Sequence, residues 1–224
     1  MLKRIMLMAL LLVAGAVQAS PDERWELATD SDGIRVWTRE VPGSPLRAFK
    51  ATMVVRSTLS GLVNLIQDTD NARRWVYRTE RIQLLKRDDS KGTFVIRVET
   101  DFPWPLTDRD VVVAGLVTQD ERSGTVTINS RAVTGPEYPL NPRFVRMPDM
   151  EGSWIFRPVG NEMVEVTMIG RADPSGAIPP GIVNLIIDVT PFRTMQGMRR
   201  LLPDPRYQKA LLPQIREPVR VVTP

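Results

Sequence analysis

The sequence predicts an α+β fold: a strongly curved antiparallel sheet of about nine strands packed on one long C-terminal helix, with an apolar tunnel between them. Three observations carry this reading. From Arg81 to Arg171 the chain reads as one strand after another, split by turns at 88–92, 120–124 and 159–161, a spacing that suits an antiparallel meander. After Asp173-Pro-Ser-Gly176 the period changes, and Ile182, Leu185, Ile186, Val189, Phe192, Met195 and Met198 form an apolar helical stripe lasting to about Leu202. A sheet of that size curls, and its concave face is buried only if something fills the groove. The long helix is the one candidate filler. Where sheet and helix do not fully close, the space between them is an apolar tunnel, the usual form of a site for a hydrophobic small molecule.

The elements follow in order. Residues 25–30 read as a short strand ended by the turn Asp30-Ser-Asp-Gly33, and 34–41 alternate apolar and polar residues as a half-buried strand does. Pro42-Gly-Ser-Pro45 turns the chain into a third strand over 47–55. Ser57 or Thr58 then caps a helix whose Leu59, Leu62, Val63 and Ile66 share one face, ending near Asp68. A polar helical turn or loop delivers Trp75 back to the sheet. Strands follow at 82–86, 93–101, 108–118 and 125–133. A loop with Pro136, Pro139 and Pro142 precedes two more, at 144–158 and 163–171. Ile178-Pro-Pro-Gly181 opens the final helix, where Pro191 must kink or interrupt it. From Pro203 the chain is a Pro-rich tail with at most a short helix around 207–212.

One stretch stands apart. Glu99-Thr-Asp-Phe-Pro-Trp-Pro-Leu-Thr-Asp-Arg-Asp110 crowds four carboxylates and an arginine around a Pro-Trp-Pro core. Both prolines stiffen the link and hold Trp104 out of any helix, so the stretch is a corner between two long strands.

The N-terminus carries an address. Lys3-Arg4, the apolar run 5–17 and Val17-Gln-Ala19 before Ser20 form a secretory signal peptide, with cleavage expected after Ala19 and the periplasm as destination. The apolar run is shorter than the roughly 20 residues of a membrane span. The expected organisation is therefore a signal peptide at 1–19, one domain at 20–202 and the tail at 203–224. Loss of Lys3 and Arg4 lowers the formal charge from +4 to +2, too small a bias for nucleic acid. There is no Cys and no His. Disulfides and thiol chemistry are excluded, and so are Ser-His triads and most zinc sites. The expectation is a monomer that is not an enzyme, with no catalytic residue, metal or cofactor.

The order of motifs is specific. Asp30-x-Asp-Gly-Ile-x-Val-x-x-Arg39, Asp68 with Trp75, Pro103-Trp-Pro-Leu-x-Asp-Arg-Asp110, Val145-Arg-Met147, Gly152-x-Trp154, Asp173-Pro-x-Gly-x-Ile-Pro179, Asn184, Pro191 and Arg199 together resemble a START lipid-transfer domain over nearly all of the mature chain. The resemblance implies the helix-grip fold, an internal lipid or sterol tunnel and no cofactor. Where the family often has a bulky apolar residue shortly before the final helix's Val-Asn, this chain has Pro180-Gly181.

The candidate ligand-binding residues are Trp75, Glu99, Trp104, Arg109, Met147, Trp154, Asn184 and Met195, each with a packing role as its alternative. Trp75, Trp104 and Trp154 offer large apolar faces with one donor each. Met147 and Met195 belong to a group of flexible side chains that suit irregular ligands or irregular cores. Arg109 either pins the corner by an ion pair or meets a lipid head group, and Asn184 either bonds a ligand or bonds back to the sheet. Alternation sets Phe94, Ile96 and Val98 against Arg97, Glu99 and Asp101, so both sets cannot line one cavity without a bulge. Three functions remain in view: a periplasmic lipid, sterol or fatty-acid carrier with transient membrane contact; a helix-grip cyclase or hydratase using Glu99, Asp101 or Tyr138; and an interaction module with a filled groove and a Pro-rich docking tail.

Overall fold

Alternating stretches form strands throughout. A computed structural model describes residues 24–218; residues 1–23, including the expected signal peptide, and residues 219–224 lie outside it. The strands are β1 (Glu26–Ser31), β2 (Ile34–Val41), β3 (Ser44–Arg56), β4 (Thr79–Asp88), β5 (Thr93–Thr100), β6 (Arg109–Gln119), β7 (Val126–Ala132), β8 (Val145–Arg146), β9 (Asp149–Gly160) and β10 (Met163–Asp173). They form one sheet in the order β1-β2-β3-β10-β9-β7-β6-β5-β4, antiparallel throughout, with β8 added parallel to β6. The single strand expected at 144–158 is split into β8 and β9 around Pro148, which cannot donate to a ladder.

Helix α1 (Leu59–Gln67) is capped by Thr58, whose Oγ1 accepts from Gly61 N at 2.9 Å. A second cap comes from far along the chain. The Glu217 carboxylate accepts from Leu59 N at 2.9 Å and Ser60 N at 2.7 Å, placing an anion at the positive end of α1. A 3-10 turn, Thr69–Arg74, delivers Trp75 to the sheet as expected.

Helix α2 (Pro180–Leu201) runs through Pro191 without interruption. Its C-terminal half buries the expected Met195 and Met198, with Phe192 packed against the core, while its N-terminal half departs from the expected stripe. Val183, Thr194, Met195, Met198 and Leu201 are buried, whereas Ile182 and Val189 are exposed. The helix packs against β2 and β3 and crosses the Trp75 turn. Tight packing at that crossing selects Thr194 and Gly197 rather than large residues.

The tail forms the short helix α3 (Pro205–Gln208), earlier than the helix expected at 207–212. Tyr207 is fully buried, and its hydroxyl donates to Asp68 Oδ2 at 2.7 Å. Ile215 joins the same core.

The concave face carries two apolar clusters. The larger joins β2, β3, β7, β9 and β10 to α1, α2, Trp75 and Tyr207. The smaller holds Val111, Val113 and Met147, with Ile96, Val98, Ala132 and Met150 packed against them.

Candidate ligand-binding cavity

A cavity of about 370 Å³ lies between the two clusters. Its walls come from both: Trp75, Ile128 and Trp154 from the larger, Ile96, Val98, Val113 and Met150 from the smaller. The gap has a cause in strand register. Phe94, Gly115, Ser130, Gly152, Gly170 and Phe49 stand opposite one another in a single row across β5, β6, β7, β9, β10 and β3. This row turns inward, and its four central members have little or no side chain. Each end is filled by a phenylalanine. The Phe94 ring lies over Gly115, where a Cβ would sit 2.1 Å from Cζ, and the Phe49 ring covers Gly170 at 3.0 Å. The centre is left as a furrow between the row of Ile128, Trp154 and Met168 and the row of Val113, Ala132 and Met150.

Above the furrow stands Trp75, 5% exposed, edge-on to Trp154 with ring centroids 5.9 Å apart, a geometry favoured by the ring quadrupoles. Thr194 Oγ1 on α2 accepts from Tyr77 N at 3.2 Å and fixes the helix to this wall. The Trp75 Nε1 donor is buried without an acceptor.

One end of the cavity is apolar and the other polar. Ile82, Ile96, Val98 and Met150 line the end towards the Pro-Trp-Pro corner, while the β4–β5 turn, the end of β6, the end of α1 and Gln214 form the polar end. There Arg87 donates to Asp89 Oδ1 at 2.5 Å and to Gln67 Oε1 at 3.0 Å, and Lys91 pairs with Asp88 at 3.2 Å. The Ser90 hydroxyl bond, followed by Lys91, holds the Asp88 carboxyl below its usual range. Among the described residues, Asp89 is the one carboxylate in the lining.

Of the eight residues expected at the site, the structure brings two to the cavity wall, Trp75 and Trp154. Glu99 stands opposite Asp110 and Arg81 on the other face of β5, as alternation requires. Trp104 is 92% exposed at the tip of the corner, where its prolines hold it in solvent. Arg109 is 3% exposed and pins the corner to the loop before α2, donating to Pro174 O and Ser175 O, each at 3.1 Å, and to Thr107 O. Its guanidinium also stacks 4.6 Å from the Phe102 ring centroid. Met147 is buried in the smaller cluster and Met195 in the larger, neither in the lining. Asn184 bonds back to the sheet, accepting from Arg47 N at 3.2 Å.

Sequence reasoning missed the furrow itself, the polar turn around Arg87 and Lys91, and the tail residues Gln214 and Ile215. It also missed a buried pair on the convex face, where Arg146 grips the Asp110 carboxylate with two bonds of 2.8 Å. Phe94, Ile96 and Val98 carried a usable signal in their alternation, and all three line the cavity.

A comparison with known families matches the START domain over residues 16–205. The chain belongs to the START domain family. A START-related lipid transfer protein from Xanthomonas axonopodis, solved as a crystal structure, is 32% identical, with a TM-score of 0.73 over 80% of this chain and 99% of that one. An uncharacterized protein of Pseudomonas aeruginosa is 30% identical over 178 residues, 79% of this chain and 86% of its own. The mitochondrial StAR-related lipid transfer protein 7 of human is 28% identical over 138 residues, and the match spans 37% of its length. Human StAR-related lipid transfer protein 5 shares the fold, with a TM-score of 0.73 at 19% identity over 83% of this chain and 88% of its own. The START fold accounts for the curved sheet closed by α2, the helix-grip arrangement expected from the sequence.

Proposed function

We propose that this START domain binds a hydrophobic small molecule, a lipid, sterol or fatty acid, in the cavity beneath Trp75 and Trp154 and carries it through the periplasm between membranes. The observation that carries the reading is the cavity. The cavity holds about 370 Å³ and is walled mainly by apolar side chains, with polar groups confined to one end, the usual form of a site for a hydrophobic small molecule. An apolar ligand there gains by removing its own surface from water. The names of the relatives from Xanthomonas and human, lipid transfer proteins all, support the same reading.

A carrier accounts for the lining better than an enzyme does. With no His or Cys in the chain, acid–base chemistry falls to carboxylates, Lys and Tyr, and in the lining Asp89 is already bonded to Arg87 and Lys91 is paired with Asp88. Exposed Trp104, on its stiff Pro-Trp-Pro corner, suits transient contact with a membrane surface, where tryptophan partitions well. Native mass spectrometry of the protein purified from the periplasm of its own host, followed by organic extraction, tests the reading. A stoichiometric lipid, sterol or fatty acid supports a carrier. A protein that arrives empty and also takes up nothing from vesicles contradicts it.

A further inference from the structure

We propose that the tail after α3 is a strap that shuts the polar end of the cavity, and that ligand enters and leaves there when the strap lifts. The proposal rests on the lipid-binding reading above and assigns that cavity a gate. The strap lies past the end of the START match.

The tail is itself the wall at this end. Gln214 and Ile215 line the cavity together with Gln67, Thr118 and Gln119, and Ile215 is 7% exposed. The next two residues are clipped to opposite banks of the opening. On the sheet side, Gln119 at the end of β6 accepts from Arg216 N at 2.9 Å and donates to Arg216 O at 2.7 Å. On the helix side, the Glu217 carboxylate holds Leu59 N and Ser60 N at the start of α1. The strap therefore bridges sheet and helix across the polar end.

The fastening suits movement. Residues 209–217 contain no helix or strand. Among the described residues, their backbone–backbone hydrogen bonds stay within the tail, from Lys209 to Pro205, Ala210 to Tyr207 and Ile215 to Leu212. The hold on the rest of the molecule is made by side chains: Glu217, Gln119, Ser60 Oγ accepting from Leu212 N at 3.3 Å, and the packing of Ile215 and Leu212 on the core. Lifting the strap thus breaks no ladder of the sheet and no turn of α1, whose first N–H groups return to water. Segments with few buried apolar contacts and no regular hydrogen bonds are the ones that open locally. The hinge is firm by contrast, because Tyr207 is buried and bonded to Asp68, and its carbonyl oxygen would lie 2.6 Å from a Cβ at Gly61. The walls away from the strap are tied down too. Arg109 fastens the corner to Pro174 and Ser175, and Thr194 and Gly197 seat α2 against the Trp75 turn. Moving either breaks buried contacts, which makes the strap the easier opening.

The test follows exchange of two fluorescent probes, cis-parinaric acid as a fatty acid and dehydroergosterol as a sterol, on the full chain stripped of lipid. Stopped flow reads energy transfer from tryptophan, with uptake measured on mixing with probe and release on mixing with excess phosphatidylcholine vesicles. Glu217→Ala, which opens one clip and leaves Ile215 in place, is expected to raise the uptake and release rates together by about tenfold, the worth of one charge-assisted hydrogen bond, with Kd within about threefold of wild type. Locking the strap is expected to do the reverse. Glu121 and Arg216 lie 3.7 Å apart at the surface, and Glu121→Cys/Arg216→Cys, in a chain with no other cysteine, is joined by a short bismaleimide. Cross-linking is expected to slow both rates by about tenfold or more relative to the same variant before cross-linking. A release rate raised without the uptake rate makes the tail a fixed wall and overturns the gate. Unchanged rates in Glu217→Ala overturn it as well, and so does exchange in the cross-linked protein as fast as before; in each of these cases the lipid-binding reading stands. Failure of the wild type to bind either probe overturns the lipid-binding reading and this proposal with it.

Discussion

Replacing Gly197 with alanine puts a methyl group where two backbones already touch. Helix α2 crosses the Trp75 turn so closely that a Cβ at 197 would lie 2.2 Å from the Trp75 carbonyl oxygen and 2.8 Å from its Cα. Ordinary contact begins near 3.4 Å, so helix and turn must separate by about 1 Å. Neither is the free end of a flexible side chain. Overpacking costs ~1–3 kcal/mol, and a backbone clash of this depth belongs at the upper end, about 3 kcal/mol. Alanine's better helix propensity returns ~1 kcal/mol. The net loss is about 2 kcal/mol, which lowers the melting temperature by about 4–8 °C for a chain of this size. Trp75 is also a wall of the cavity, so ligand affinity falls with stability. Urea unfolding followed by circular dichroism, together with thermal melts, measures the effect. An unchanged or raised melting temperature would refute the close approach of α2 to the Trp75 wall.

Three other perturbations separate structural from functional roles. Arg146→Ala strands the Asp110 carboxylate, 1% exposed with Arg97 Nε the next cation at 3.8 Å, and is expected to cost about 3–5 kcal/mol in urea unfolding; a loss under about 1 kcal/mol would contradict the pairing. Tyr207→Phe removes the bond to Asp68 and is expected to cost about 1 kcal/mol near neutral pH. Burial, then Asp68, raises the Tyr207 hydroxyl well above the ordinary tyrosine range, so its contribution is complete below about pH 10 and fades as pH climbs towards the folded value. The wild type should therefore lose more stability than the Phe variant between pH 9 and pH 11, and equal losses would count against the shift. Trp104→Ala should leave the urea midpoint within about 0.5 kcal/mol of wild type while weakening association with vesicles several-fold in a flotation assay; undiminished association would remove Trp104 from the membrane-contact proposal.

The sequence made plain whatever depends on neighbours along the chain. Alternation located the strands, Ser57 or Thr58 marked the cap of α1 and Thr58 makes it, and the prolines around Trp104 placed the corner between β5 and β6. What depends on register across strands was hidden. Gly115, Ser130, Gly152 and Gly170 read singly as weak points in four strands; only pairing sets them in one row and turns them into a furrow. Partners far apart in sequence were hidden for the same reason. Asp110 and Arg146 are 36 residues apart, and Leu59 and Glu217 are 158 apart. In α2 the expected stripe holds at Phe192, Met195 and Met198 and fails at Ile182 and Val189, which are exposed. At the Trp75 crossing small size matters more than hydrophobicity, so Thr194 and Gly197 are buried there although neither belongs to an apolar stripe. Trp75 and Trp154 were identified as candidates, but their meeting across the furrow required the folded sheet.

The central claim is that an apolar ligand lies in the furrow against Trp75 and Trp154, and quenching by a brominated fatty acid tests it most directly. The chain has five tryptophans, and Trp25, Trp37 and Trp104 are absent from the cavity lining. Saturable one-to-one quenching that disappears in the Trp75→Phe/Trp154→Phe double variant, while mass spectrometry still records bound ligand, is the predicted result. Undiminished quenching in that variant would place the ligand elsewhere on the molecule and contradict the account.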